Sequence, residues 1–484
     1  MRQPLSLWNW TGLAASSALA CACLAGLGAA VLSDELFSLE LARLDWAALG
    51  AALRADVHPP LYYWLLRVWM SLVPGGEISL RLLAGGLAVG AVWSLGALAR
   101  RVGVPPGPAM ALLASNALVL LMCSYGRMYT LLLWVVTASA ALAFKAADDN
   151  SRSARVLFGL LICAGLLTHN WFVFFLPGLL VWIWAERGRA VARLLVPCAC
   201  AILAWAAIWG YPAYLQLTSR AQQLAWLRPP TAGNLADTLL AHLWLLLLAA
   251  PVWLVAAGLR KPSSAPRGAL ALLRGLPVSW PATAAAAIGV GLPWLVSQWK
   301  PVYNPRFTII VAPFLACALA PFVKRGGAAV VTALLILGAA WPLWDAAHQP
   351  LCTSRAAAQV LERLARPGDT VVFCRLTRKP VEFYWHPAAI ARFSFPASID
   401  DHPGYEGTLP PDQLARQAHA LLGRASGRVF ILVDDAAPAS RVLLSELKGR
   451  PASELLSEPA SGKHYFNRLL LVSPSESPSA APRE

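Results

Sequence analysis

Apolar residues fall in long blocks broken by short polar gaps, with neither the alternation of half-buried strands nor the narrow stripe of a soluble helix. A helix needs about 20 mostly apolar residues to cross a bilayer. On that basis spans are predicted at 9–32, 80–99, 105–124, 128–146, 156–169, 171–186, 194–212, 236–259, 277–298, 307–323 and 327–345, eleven in all. The two short blocks beside Thr168-His169-Asn170 would also serve as one long tilted helix. Arg2 ahead of the first block and small residues near Ala29-Ala30 suit a signal peptide. An uncleaved span is the better reading, because that block exceeds the usual apolar core of about 7–15 residues.

Two segments depart from this rhythm. Between 33 and 79, apolar positions at helical spacing (Leu36, Leu39, Leu49, Leu53) precede His58-Pro59-Pro60 and Leu61-Tyr62-Tyr63-Trp64, which predicts helices lying in the interface plane. From 346 the composition becomes near-soluble. Strand-like Thr370–Cys374, Arg428–Val433 and Leu469–Val472 alternate with helix-like Ala356–Leu364 and Asp412–Leu422 there, which predicts a small α/β domain. The expected organisation is a membrane domain over 1–345, with its first outside loop at 33–79, an α/β domain over 346–472, and a Pro/Ser-rich disordered tail over 473–484.

Composition sharpens the picture. Hydrophobic residues make up 58%, charged residues 13%, mean hydropathy is +0.56, and there are 21 Trp. A soluble enzyme, a disordered scaffold and a disulfide-stapled secreted module are excluded. The net charge of +15 would suggest nucleic acid in a soluble chain, but the cations sit in short gaps between apolar blocks and act as topology signals, so no nucleic-acid partner is expected. With the amino terminus inside, the inside gaps hold 15 Lys and Arg and the outside gaps 9. This orientation puts the α/β domain outside the cytoplasm. Seven of the nine Cys lie in apolar stretches and no C-x-x-C pair occurs. Cys352 and Cys374, alone in the tail, leave a disulfide open.

Charges at a membrane boundary are costly unless paired or used. Asp34-Glu35 follows the first span directly, and Arg127, Lys300 and Arg306 fall at the outside ends of other spans, with His58, Arg81 and His169 at the same level. Cations beside a carboxylate suit transfer from a lipid-linked phosphosugar: they hold the departing phosphate, while the carboxylate takes a proton from the attacking hydroxyl. Simpler roles exist for each. Asp34 suits a helix N-cap, Glu77 and Arg81 an i, i+4 pair, His169 a hydrogen-bonded core histidine, His58 a turn before proline, and Trp46 and Trp64 an interfacial belt. Lys300 and Arg306 would also suit lipid headgroups.

The runs Ser33-Asp34-Glu35-Leu36-Phe37, His58-Pro59-Pro60-Leu61-Tyr62-Tyr63 and Glu77-Ile78-Ser79-Leu80-Arg81-Leu82 resemble the opening of bacterial glycosyltransferase family 39 proteins. These are relatives of the dolichyl-phosphate-mannose protein mannosyltransferases and the lipid A aminoarabinose transferases. Tyr125-Gly126-Arg127-Met128-Tyr129, Leu167-Thr168-His169-Asn170 and Lys300–Phe307 continue that family's order of motifs, so the likeness covers about 30–325. Asn170 and Phe307 stand where the family often has Tyr.

The resemblance implies a polytopic α-helical GT-C-like core of about 11 transmembrane helices in a bacterial inner membrane, with a C-terminal extracytoplasmic α/β domain. It implies an inverting transferase using a polyprenyl-phosphate sugar donor and an extracytoplasmic acceptor (lipid, glycan or protein). Carried over by position, Asp34 would be the catalytic base, with Glu35 shaping the site. From charge and side, Arg127, Lys300 and Arg306 would hold the donor phosphate, and His58, Tyr62, Arg81, Tyr129, His169 and Tyr303 would line the substrate. Some GT-C enzymes use a divalent metal. With one carboxylate pair and no D-x-D, none is expected here, and no other cofactor. A transporter or flippase of lipid-linked glycans would predict matching broken spans in two halves, which the sequence lacks. A polymerase or ligase using a diphosphate-linked glycan stays open.

Overall fold

A computed structural model describes residues 7–218, 227–258, 278–348, 352–387, 389–401, 409–425, 427–447, 450–459 and 466–473. The tail expected to be disordered lies almost wholly outside the described residues. The chain divides into two compact units, Met1–Gly28 with Leu41–Ala347, and Ala29–Glu40 with His348–Glu484.

The first unit is helical. Its main elements are α1 (Leu7–Gly26), α3 (Trp46–Ala55), α4 (Leu61–Leu72), α5 (Glu77–Arg101), α6 (Pro106–Ala114), α7 (Ala117–Cys123), α8 (Tyr129–Asp149) and α9 (Arg152–Thr168). There follow α10 (Phe175–Arg187), α11 (Leu195–Trp205), α12 (Tyr211–Thr218), α13 (Ala232–Leu248), α14 (Ala250–Gly258), α15 (Trp280–Val296) and α16 (Ala312–Ala347). The helix α2 (Ser33–Arg43) follows α1 in the chain. Every predicted apolar block contains a helix, and the predicted interfacial segment forms three short ones.

The count of continuous spans differs from expectation. Among the described residues four helical stretches are long and apolar enough to cross a membrane, Glu77–Arg101, Tyr129–Asp149, Asn170–Gln216 and Pro305–Ala347. Two bent pairs raise this to six if each is one span, rather than eleven. The reason is local. Two of these stretches each contain a pair of predicted blocks, which are divided at Gly188 (φ 55°) and at Gly327 (φ 73°), where glycine alone takes left-handed backbone without strain. Elsewhere a single block is broken. α6 and α7 meet at 61°, because the Asn116 side chain accepts the N–H of Val119 and starts a new helix.

The first helix also stops earlier than predicted, at Gly26. Arg81 on α5 donates from Nη1 to the Gly26 carbonyl at 2.9 Å, satisfying an oxygen that the helix end leaves over. At one end of the bundle Arg101 pairs with Asp149 and Arg187 with Asp148 at 2.5 Å, fastening α5, α8 and α10. The residues of the candidate site sit at the opposite end of α8.

The second unit holds a five-stranded sheet in the order β2-β1-β3-β5-β4, with β1 Thr370–Cys374, β2 Ala391–Phe395, β3 Val429–Val433, β4 Ala452–Ser457 and β5 Arg468–Val472. β1 pairs in parallel with β2 and β3, and β5 runs antiparallel to both β3 and β4. All of β1 is buried, as a strand with both faces covered must be. Val371 and Phe373 pack with Cys352, Leu361 and Trp385, whereas Val372 and Cys374 pack with Leu414, Ala418 and Leu443. Cys352 and Cys374 therefore belong to cores on opposite faces, because side chains alternate along a strand. Both are free thiols, which closes the disulfide alternative. The short segment Ala29–Glu40 joins this unit through Val31 N–H to the Tyr384 hydroxyl at 2.8 Å and Glu40 to Lys379 at 3.2 Å.

Candidate active site

Four stretches far apart in sequence meet in the helical unit: 56–58, 125–129, 168–171 and 302–307. Each is shaped by local chemistry. Asp56 follows α3, its own N–H returning to the Leu53 carbonyl, and Pro59-Pro60 keeps His58 out of helix. Arg127 closes a tight turn onto the Tyr125 carbonyl at 2.8 Å. Gly126 in that turn packs so closely on Leu80 that a Cβ would collide with its side chain.

A directed chain runs across two of these loops. Asp56 Oδ2 lies 2.6 Å from His58 Nδ1, and His58 Nε2 lies 3.1 Å from Arg127 Nη2. Guanidinium can only donate, so Nε2 accepts and Nδ1 carries the proton that Asp56 receives. Asp56 and Arg127 are buried, and His58 is half-buried. Burial by itself raises the Asp56 carboxyl, but the electrostatic pull and hydrogen bond of His58, the Val57 N–H and Arg127 outweigh it and hold the group at about 2.

An aromatic wall adjoins the chain. The Tyr129 ring stacks on Tyr125 and Phe307 with centroids 6.2 Å away in each case, and His169 lies 5.0 Å from Phe307. Arg306 lays its guanidinium 5.6 Å from the Phe307 ring centre and 6.0 Å from that of Tyr129, in the range of cation–π attraction. His169 is within electrostatic reach of His58, Arg127 and Arg306 together. Its Nδ1 accepts the Trp171 N–H at 3.0 Å, so it serves as the hydrogen-bonded turn residue of the simpler reading while lining the same wall. Asn170 donates to the Val57 carbonyl at 3.2 Å and Trp171 Nε1 to the Val302 carbonyl at 3.0 Å. The amide at 170 thus joins two loops, a link that a tyrosine there would not reproduce in kind.

The other residues singled out by sequence are placed differently. Tyr63 is buried with its ring 6.4 Å from His58, and Tyr62 packs edge-on against it at 5.5 Å. Tyr303 is buried and its hydroxyl meets Thr238 at 2.6 Å. Arg81 binds the end of α1, as described, and Lys300 is an exposed residue just after α15. Asp34 and Glu35 occupy the first turn of α2, where Glu35 Oε2 accepts the Leu32 N–H at 3.1 Å. The helix begins at Ser33, so Asp34 is inside its first turn rather than capping it. Asp56, Trp171, Thr238 and His242 escaped the sequence reading. Only Asp56 had a signal, two positions before His58 in a turn. Among the described residues no group of three or more His, Cys, Asp or Glu is arranged to hold a metal ion.

A helical bundle with loops carrying cations and aromatic rings gathered at one end, and an α/β domain as a second unit, make up a fold that solved structures share. The particular likeness is to ArnT from Cupriavidus metallidurans. Its apo crystal structure matches with a TM-score of 0.56 at 11% identity, over 96% of this chain and 98% of that one. The structure of ArnT bound to undecaprenyl phosphate matches with a TM-score of 0.53 at 12% identity, over 97% and 99%. At such identity the likeness establishes the fold. No protein-family profile matches the chain, and no curated protein matches it in sequence.

Proposed function

We propose that the protein is an inner-membrane glycosyltransferase that moves a sugar from a polyprenyl-phosphate carrier to an acceptor outside the cytoplasm, with inversion. The observation that carries this is that Arg127 and Arg306, from loops far apart in sequence, both come within electrostatic reach of His169, Arg127 on His58 and Arg306 over the rings of Tyr129 and Phe307. Two guanidinium groups beside a His-Asp pair suit a phosphate that gains charge as its sugar leaves. That a protein of this fold binds undecaprenyl phosphate supports the class of lipid.

In the reaction, an acceptor hydroxyl oxygen attacks the anomeric carbon on the face opposite the phosphate. The bond from carbon to phosphate oxygen breaks, and its electron pair stays on the polyprenyl phosphate. The hydroxyl proton passes to a carboxylate. Asp34 is assigned that role from its place in the order of motifs, with Glu35 shaping its turn. Arg127 and Arg306 hold the leaving phosphate, and Lys300 contributes positive potential from the outer end of α15. His58, Tyr129 and His169 shape the space around the sugar, and Tyr62, Arg81 and Tyr303 support the elements that carry it. The scheme uses no metal. Eleven spans with the amino terminus inside, the orientation that the bias of Lys and Arg favours, would put the α/β domain in the periplasm.

The test compares membranes carrying wild type or Asp34→Asn at matched levels, supplied with polyprenyl-phosphate mannose, glucose or aminoarabinose and an acceptor extract. Mass spectrometry follows release of polyprenyl phosphate. Release by wild type alone supports the transferase and Asp34 as base, and equal release removes Asp34 from the mechanism. No turnover with any donor favours the flippase reading or a diphosphate-linked donor.

A further inference from the structure

Thr238 and His242 lie four residues apart on one face of α13, deep among apolar side chains, and the mechanism uses neither. Both reach the segment that carries Arg306. The Thr238 hydroxyl donates to the Asn234 carbonyl at 2.8 Å, so at 2.6 Å it accepts from the Tyr303 hydroxyl. The Thr308 hydroxyl donates to the Pro305 carbonyl at 2.6 Å and therefore accepts from His242 Nε2 at 2.9 Å. That leaves His242 Nδ1 as an acceptor, and the Asn116 amide donates to it at 3.0 Å. Asn116 Oδ1 in turn accepts the Val119 N–H at the bend between α6 and α7. Every proton in this relay has one direction.

All five side chains are buried. In such surroundings a donor or acceptor left without its partner is costly, so the arrangement is stiff. It grips the chain on both sides of Arg306, three residues before it at Tyr303 and two after it at Thr308. Asn304 adds a local brace, its Oδ1 accepting the Arg306 N–H at 3.0 Å.

We propose that Thr238 and His242 are positioning residues, a clamp from α13 that fixes the Tyr303–Thr308 segment and so the direction in which Arg306 presents its charge. The use of that charge on a polyprenyl phosphate rests on the function proposed above, whereas the clamp itself does not.

The two are tested separately on the full chain in detergent. Hydrogen exchange of the 303–311 amides reads the clamp, and binding of undecaprenyl phosphate reads its consequence. Thr308→Val keeps shape but removes the acceptor. It is expected to speed exchange in this segment and to weaken binding, each roughly tenfold, while Thr308→Ser stays within about twofold of wild type on both. In an Arg306→Ala background, Thr308→Val should weaken binding no further. Unchanged exchange in Thr308→Val overturns the clamp, and an equal loss of binding with or without Arg306 overturns the positioning role. If exchange rises but binding holds while Arg306→Ala binds weakly, the positioning role is overturned. If Arg306→Ala itself binds normally, the phosphate reading fails and exchange alone decides the clamp. Should Thr308→Val not fold, Tyr303→Phe cuts the other arm and takes the same comparisons.

Discussion

The imidazole of His58 accepts from the guanidinium of Arg127, Nε2 to Nη2 at 3.1 Å, and this contact determines which ring nitrogen is protonated. With Nε2 an acceptor, Nδ1 donates to Asp56 at 2.6 Å. A buried arginine is tolerable only with compensating charge, and Asp56 supplies it through the ring.

Because the three groups act as one chain, their substitutions should not add. Arg127→Ala is expected to weaken undecaprenyl phosphate binding roughly a hundredfold, and His58→Phe about five- to tenfold, within the range for charged and neutral hydrogen bonds. The double variant should bind no worse than Arg127→Ala. A calorimetric or fluorescence titration in detergent checks this, and strict additivity would separate His58 from Arg127.

Asp56 gives a pH signature. Its carboxyl is held at about 2, below the usual 3.8. A lowered folded value means that its contribution to stability is complete above the usual carboxylate range and fades as pH falls through that range toward 2. Wild type is therefore expected to lose its stability margin over Asp56→Asn between about pH 4 and pH 2, and to keep it between pH 5 and 8. Thermal unfolding across both windows measures the margin. A margin that also vanished between pH 8 and 5 would contradict this assignment.

Gly178 on α10 tests the packing behind the site. A Cβ there would lie 2.7 Å from the Ala285 carbonyl oxygen on α15, a backbone atom that cannot swing away. Gly178→Ala should destabilise the protein by about 1–3 kcal/mol by forcing the helices apart, whereas Gly291→Ala, whose Cβ would meet nothing within 4 Å, should not. Unfolding midpoints of the two variants make the comparison.

Cys352 and Cys374 should react as thiols without any reductant. The Cys352 Sγ donates to the Asn467 carbonyl at 3.1 Å and burial pushes its ionisation up to about 12, so folded protein should resist maleimide. Both residues should label on denaturation under non-reducing conditions, as read by peptide mass spectrometry. A 352–374 cross-linked peptide would refute the sheet's facing.

The sequence by itself determined what depends on neighbours along the chain. Blocks of apolar residues marked where helices lie, short apolar runs alternating with helix-like stretches placed β1 at Thr370–Cys374 and β3 within one residue of its observed start, and the boundary charges picked out Arg127, His169 and Arg306. Hydropathy is a local sum, so it locates helical blocks but not the glycine and asparagine breaks between and within them. The tertiary structure alone decided which loops meet. The contacts that build the site join residues 69, 113 and 131 positions apart, and no periodicity encodes a partner at such distance. The same holds for the protonated nitrogen of His58, the opposite facing of the two tail cysteines and the grip of α13 on the Arg306 segment. A hydrogen bond forms between groups that packing brings together, and packing is a property of the whole chain.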